Sequence, residues 1–111
     1  MKISILLPYK ENFSPEYPGA VSLFVYETTK KSKFKKDITV FGNTKYIKKF
    51  PIRYIDIKIN NNIIASQTKN YVKNFIRLEK LKKSSIIEIH NRPTYVKILS
   101  TNLTNRIISL Y

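Results

Sequence analysis

The chain has 111 residues, which allows one domain, and its 42% hydrophobic and 13% aromatic content supports a packed core rather than a disordered tail. It contains no cysteine, which excludes disulfides, thiol catalysis and thiolate metal sites. The formal net charge of +14 favours contact with phosphates or acidic lipid. However, the chain has 17 Lys against 4 Arg, with 17 Ile and 10 Asn, a usage typical of a genome rich in A and T, so we attribute most of the charge to composition.

The first two dozen residues predict a buried strand, a long polar loop and a helix. Residues 3–7 form an apolar run that Pro8 ends, and residues 9–18 are polar and rich in turn formers. A helix is predicted from about Ala20 to Lys33. The helical spacing places four side chains on its inner face, namely Val21, Phe24, Val25 and Thr28.

Two strands and a turn are predicted next. One strand covers Asp37 to Phe41 and is closed by Gly42 and Asn43. The other covers residues 53–59, where isoleucines alternate with polar side chains, as is typical of a half-exposed strand at a sheet edge. The run Asn60 to Asn62 is a turn signal.

The second half of the chain predicts a long helix, a strand, a short helix and a last strand. Thr68 is a candidate cap for the long helix, which should end near Lys83 and Ser84. The strand covers Ile86 to His90; Asn91 is a candidate cap and Pro93 lies near the first position of a helix over residues 95–99. Residues 106–111 are the last strand. The apolar side of the long helix is predicted to be Tyr71, Val72, Phe75, Ile76 and Leu78.

This order of elements predicts an α/β fold with a doubly wound, Rossmann-like parallel sheet of about five strands in the order 3-2-1-4-5, in three layers. The apolar strands at 3–7, 86–89 and 107–110 are predicted to take buried positions, and the alternating strand at 53–59 an edge. Neither of the two glycines forms G-x-G-x-x-G or a P-loop, which argues against a dinucleotide cofactor or an NTP in the first turn.

The last strand bears on domain organisation. Open α/β sheets bind ligands beyond the carboxyl ends of their strands, and the sequence stops with the strand at residues 106–111. We therefore expect residues 1–111 to be the front part of a larger protein, incomplete at its C-terminal side.

The loop at residues 9–18 is the first candidate site. It is long for a connection from a strand to a helix, where roughly 2 to 6 residues are usual, and long loops at strand ends are often functional. Gly19 would let the backbone approach a ligand, and the helix that follows offers free N–H groups to a phosphate or a sugar oxygen. The alternative is that Gly19 only eases a turn into the helix.

The second candidate site is residues 88–93, Glu-Ile-His-Asn-Arg-Pro. Strand alternation puts Glu88 and His90 on one side, and His90 and Asn91 lie at the end where the first loop also emerges. His90 can act as a general base or bind a hydroxyl group, and Arg92 can pair with a phosphate. A histidine at this position can equally be a satisfied structural group, and a single His makes a poor metal site.

The opening MKISILLPY, its loop into PGAVS, and IIEIHNRP about 70 residues later together resemble the N-terminal domain of GT-B glycosyltransferases of family 4, also called glycosyl transferase group 1. The resemblance covers nearly the whole chain. It implies the acceptor-binding part of a retaining glycosyltransferase, which moves a sugar from a nucleotide-sugar donor to a glycan or a lipid-linked acceptor. A second Rossmann-like domain would hold the nucleotide, and no metal or other cofactor is implied.

The resemblance also implies roles for particular residues. Gly19 and Ala20 match the turn near the donor phosphates. The acceptor side is assigned to Glu11, His90, Asn91 and Arg92. No residue is assigned a catalytic role, because the family's further His and its donor-binding residues have no counterpart among these 111 residues. We therefore expect this chain alone to be inactive.

Location and partners are predicted more coarsely. Only a few residues precede Pro8, too few for a signal peptide, and no apolar run approaches the roughly 20 residues of a spanning helix, so we expect a cytoplasmic protein. Its lysine clusters permit peripheral contact with the anionic inner face of a membrane. The alternatives are a small basic nucleic-acid-binding protein, although no recognised DNA or RNA module is visible, and a standalone α/β adaptor.

Overall fold

The computed structural model describes residues 1–59 and 66–111. The strands are β1 (Ile3–Leu6), β2 (Ile38–Gly42), β3 (Tyr54–Asp56), β4 (Ile86–Ile89) and β5 (Ile107–Leu110). The helices are α1 (Ala20–Lys31), α2 (Gln67–Lys82) and α3 (Pro93–Asn102), and a short 3-10 turn covers Lys35–Asp37. The strands form one parallel sheet in the order β3-β2-β1-β4-β5, which confirms the predicted Rossmann-like topology.

One face of the sheet is covered by α2 and α3. The strands contribute fully buried apolar side chains from β1, β2 and β4, and the helices contribute large rings and aliphatic groups. Burial of each such side chain stabilises the fold by roughly 1.5 to 3 kcal/mol. The central members of this core are Leu6, Phe41, Tyr71, Phe75, Ile87, Ile89, Tyr95 and Leu99.

The other face is covered by α1 together with two loops. Val25 of α1 packs on the buried side chains of β1 and β2. Phe13, from the loop after β1, and Phe50, from the loop after β2, complete this core with their rings 5.1 Å apart at a steep angle. The two loops are therefore held by the core on the same face as α1.

The phase of α1 differs from the prediction. Phe24 is 56% exposed and Thr28 is also exposed. The small polar residues Ser22 and Thr29 face the sheet in their place, because small side chains let the helix lie close to the strands. The buried positions of α1 are Ser22, Val25 and Thr29.

The face of α2 was predicted correctly except at one position, where Leu78 is 36% exposed and Glu79 is fully buried. The Glu79 carboxylate accepts hydrogen bonds from Ser4 Oγ (2.9 Å) and from the backbone N–H of Ser84 (2.7 Å). Arg106 Nε lies 3.5 Å from the same carboxylate, and Arg106 Nη2 donates to the Glu79 carbonyl at 3.0 Å. A buried charge with this many partners is tolerated where an unpaired one is not.

Two predicted caps were wrong. The long helix begins at Gln67 after Ser66, so Thr68 lies inside its first turn. The residue before α3 is Arg92 rather than Asn91, while Pro93 occupies the first turn as predicted. Asn91 instead adopts a left-handed backbone with φ of 55°, a conformation that asparagine tolerates.

The burial predicted for the last strand was wrong. β3 and β5 lie at the two edges of the sheet, as the predicted order requires, but β5 is not buried as its apolar sequence had suggested. Ile107 is 63% exposed, although the sequence of β5 is nearly continuous in apolar residues. An apolar run on its own does not distinguish an interior strand from an unprotected edge strand.

The predicted turn at Asn60 to Asn62 lies outside the described residues. Within the described ranges, none of the helices has the length and apolar character that crossing a bilayer demands.

Candidate functional site

The candidate site lies at the edge of the sheet where the strands end, which we call the carboxyl edge. Because the strands are parallel, the segments that follow β1, β2 and β4 all emerge there. The strand order reverses between β1 and β4, which makes this position the topological switch point of the sheet. Open α/β sheets bind ligands at the carboxyl edge beside their switch point.

The loop after β1 is anchored at several points. The buried Phe13 donates its N–H to Thr44 Oγ1 (3.1 Å), and Asn12 Oδ1 accepts from the N–H of Lys45 (3.3 Å). On the other side, the N–H of Tyr9 donates to the hydroxyl of Tyr95 (3.1 Å). The loop is thus fixed both to the loop after β2 and to α3.

Two phenols, one fully buried and one partly buried, support the same edge. Tyr71 donates its hydroxyl to the carbonyl of Leu7 at 2.6 Å, and burial raises the pKa of Tyr71 well above its usual value. Burial is also the main reason why the pKa of Tyr54 is raised, and the Tyr54 hydroxyl bonds to Thr44 and Asp56. Both phenols therefore stay protonated at neutral pH and serve as hydrogen-bonding supports.

The start of α1 is occupied by a side chain of the protein itself. Glu11 Oε2 accepts from the N–H of Ser22 at 3.0 Å, where its negative charge is favoured by the helix N-terminus. A Cβ atom at Gly19 would overlap the Glu11 carboxylate, so the glycine is needed to admit that carboxylate. Gly19 and Ala20 were predicted to lie near donor phosphates, and a phosphate placed there would have to displace Glu11.

His90 is the buried member of the second candidate site, with only 7% of its surface exposed. Its ring stacks on Tyr111 at a centroid distance of 5.2 Å and meets the edge of Phe24 at 6.1 Å. Its Nε2 atom has no hydrogen-bond partner among the described residues, and the nearest carboxylate oxygen, on Glu88, is 3.7 Å away. Within the described part of the chain this nitrogen is an unsatisfied polar atom with no solvent-accessible surface, so a ligand hydroxyl can reach it only where a neighbouring side chain moves aside.

Asn91 and Arg92 are placed differently. The backbone N–H of Asn91 donates to the Tyr111 carbonyl at 2.8 Å, which fixes the end of β4 to the end of β5. Arg92 Nη1 donates to the Asn91 carbonyl at 2.7 Å. Within residues 1–59 and 66–111, no hydrogen bond or ion pair joins Glu11 to the other three residues predicted to bind acceptor. The structure therefore places these four at one edge without forming one cluster.

A cavity of about 350 Å³ at the carboxyl edge was not predicted as a site. It is lined by Lys10 and Asn12 after β1 and by Asn43 and Lys45 after β2. Two ammonium groups and the Asn12 amide make it rich in donors, while Asn43 Nδ2 donates to the Ile57 carbonyl at 2.9 Å. The nearby acids are engaged elsewhere: Glu11 caps α1, and Asp56 accepts from the N–H of Thr44 (2.9 Å) and pairs with Lys58 (3.3 Å).

A sequence signal for this cavity did exist, since a lysine and an asparagine follow each of two strands that the predicted order makes neighbours. What the cavity offers chemically is a place for an anionic or hydroxyl-rich group. In the part of the chain that the structure describes, no group of three or more His, Asp or Glu side chains is arranged to hold a metal ion.

Comparison with known proteins adds no assignment: no family model matches the chain, and neither curated proteins nor solved structures gave a match.

Proposed function

We propose that this chain is the acceptor-binding part of a retaining glycosyltransferase and binds a glycan or the sugar of a lipid-linked acceptor at the carboxyl edge. The observation that carries the proposal is His90: an imidazole buried between two aromatic rings, with Nε2 unpartnered among the described residues, at the switch point of a Rossmann-like sheet. The resemblance of the sequence to family 4 supports the same proposal.

In this proposal the sugar makes two kinds of contact. A hydroxyl group bonds to His90 Nε2 once the exposed ring of Phe24 or Tyr111 moves aside to uncover it, and the apolar face of the sugar packs on these two rings. The strands are spaced by about 4.8 Å, so the ends of β2 and β4, two strands apart, are about 10 Å from each other. A second part of the same acceptor can therefore reach the cavity between Lys10 and Lys45, which favours an acidic glycan.

The nucleotide-sugar donor is assigned to a second domain, and catalysis to residues outside this chain. The Glu11 carboxylate at the start of α1 disfavours the predicted contact of Gly19 and Ala20 with donor phosphates, because two negative charges would compete for the same N–H groups. If the acceptor is lipid-linked, the proposal places the protein in the cytoplasm, at the inner face of a membrane.

The proposal can be tested by NMR on the 15N-labelled chain titrated with a neutral disaccharide, a uronic-acid disaccharide and a single-stranded oligonucleotide. We expect both sugars to shift the resonances of His90 and Tyr111, and the acidic sugar also to shift those of Lys10 and Lys45. His90→Phe keeps a ring against Tyr111 but removes Nε2, so it should abolish the response to the neutral sugar.

A saccharide titration that leaves His90 unmoved would overturn the proposal. Binding of the oligonucleotide in place of the sugars, weakening steeply with salt, would favour the nucleic-acid-binding alternative.

A further inference from the structure

A groove runs between α2 and α3 and encloses a cavity of about 490 Å³. Its floor is formed by Ile76 of α2 and Ile98 of α3, both of which pack against the core on their inner side. The remaining lining side chains are polar and, except for one asparagine, cationic. They are Lys69, Lys73, Arg77, Lys80 and Asn102.

The four cations form one wall of the groove. They are all exposed and follow each other along α2 at intervals of four, four and three residues. At a rise of 1.5 Å per residue the row is about 16 Å long, and these intervals keep it on one side of the helix. The groove is therefore an apolar trough with a straight row of positive charge beside it.

This charge is not compensated within the protein. All seven acidic residues lie in the described ranges, and none of them forms an ion pair with a cation of this row. The one acid of α2, Glu79, is buried on the opposite side of the helix and paired with Arg106. α3 contains no acid.

We propose that the α2–α3 groove binds an acidic amphipathic helix of a partner protein. Such a helix carries Asp or Glu at i, i+4, i+8 and i+11, the spacing of the cationic row, and it can lay Leu or Ile side chains against Ile76 and Ile98. A helix laid in a groove between two helices is a common mode of peptide recognition. This surface lies on the helices that cover the sheet, so the inference goes beyond the proposed function.

Two other anionic partners fit the groove less well. A bilayer surface is flat and would not reach isoleucines recessed between two helices. Single-stranded nucleic acid relies on aromatic side chains for base stacking, and the residues that line the groove include none.

The test uses fluorescence anisotropy with a synthetic helical peptide of about 15 residues that has Glu at i, i+4, i+8 and i+11 and Leu on the adjoining face. Removing two cations with Lys73→Gln and Arg77→Gln should weaken binding by about tenfold. The matched control, Lys35→Gln with Lys36→Gln, removes the same charge from the exposed 3-10 turn and should change binding by less than about twofold.

Two further peptides decide between specific docking and general attraction. A scrambled peptide of the same composition and a peptide with Ser in place of Leu should both bind much more weakly. Equal binding of the scrambled peptide, or an equal loss in both double variants, would overturn the proposal. So would binding of phosphatidylserine vesicles or of an oligonucleotide that depends on Lys73 and Arg77 while the helical peptide does not bind.

Discussion

Glu79 at the amino edge of the sheet and His90 at the carboxyl edge differ in how their buried polar atoms are satisfied. At the amino edge, Glu79 is fully buried and receives hydrogen bonds or an ion pair from Ser4, Ser84 and Arg106. At the carboxyl edge, His90 is buried with Nε2 unpartnered among the described residues. A buried group with all its partners stabilises one structure, whereas a buried group without one lowers stability unless a ligand supplies the partner.

The largest expected effect tests the amino edge. Glu79→Ala removes the acceptor of two hydrogen bonds and leaves the nearly buried Arg106 guanidinium without its carboxylate. We expect a loss of about 3 kcal/mol or more in the free energy of unfolding, measured by urea denaturation. The matched control is Glu27→Ala, which breaks an exposed ion pair with Lys30 and should cost less than about 1 kcal/mol. Equal losses in the two variants would contradict the structural role of Glu79.

A smaller effect is expected at the start of α1. Gly19→Ala puts a Cβ where the Glu11 carboxylate lies, so it should cost about 1 to 2 kcal/mol through loss of the cap and local strain. In the Glu11→Ala background the same substitution should cost much less, because the overlap is gone. Thermal or urea denaturation of the two single variants and the double variant measures this coupling. Additive losses would show that the carboxylate does not occupy this place.

The smallest effect tests the carboxyl edge and has the opposite sign. His90→Phe keeps the ring between Phe24 and Tyr111 while removing a buried polar atom that has no partner there. We expect the free energy of unfolding to rise by about 1 kcal/mol, by the same denaturation measurement, while sugar binding is lost. A loss of stability would indicate that His90 is a satisfied structural group.

The strand order was predictable from the sequence because it depends on local patterns and on general rules of handedness. Continuous apolar runs gave β1 and β4, alternation gave the edge strand β3, and right-handed crossovers fixed the order. The exposure of β5 was not predicted, because its apolar sequence is the same as that of an interior strand.

The candidate site was predicted only in part, since partners distant in sequence decide it. The sequence placed His90 at the right strand end and on the same side as Glu88, and their separation of 3.7 Å agrees with this. It did not show that Glu11 would occupy the start of α1, because that contact depends on how the long loop folds back. For a similar reason the sequence placed Leu78 on the buried side of α2, where the structure has Glu79. Burial of a glutamate depends on Arg106, 27 residues away.

The fold could be stabilised at backbone positions where a residue other than glycine adopts a left-handed conformation. Five residues of the described ranges have a positive φ, yet neither glycine does. This conformation costs lysine and tyrosine about 1 to 2 kcal/mol of conformational free energy, and asparagine less. A chain poor in glycine and rich in lysine thus places Lys83 at the left-handed end of α2, where glycine is the usual choice. Lys83 is therefore a backbone position at which a single substitution to glycine is expected to make the fold more stable.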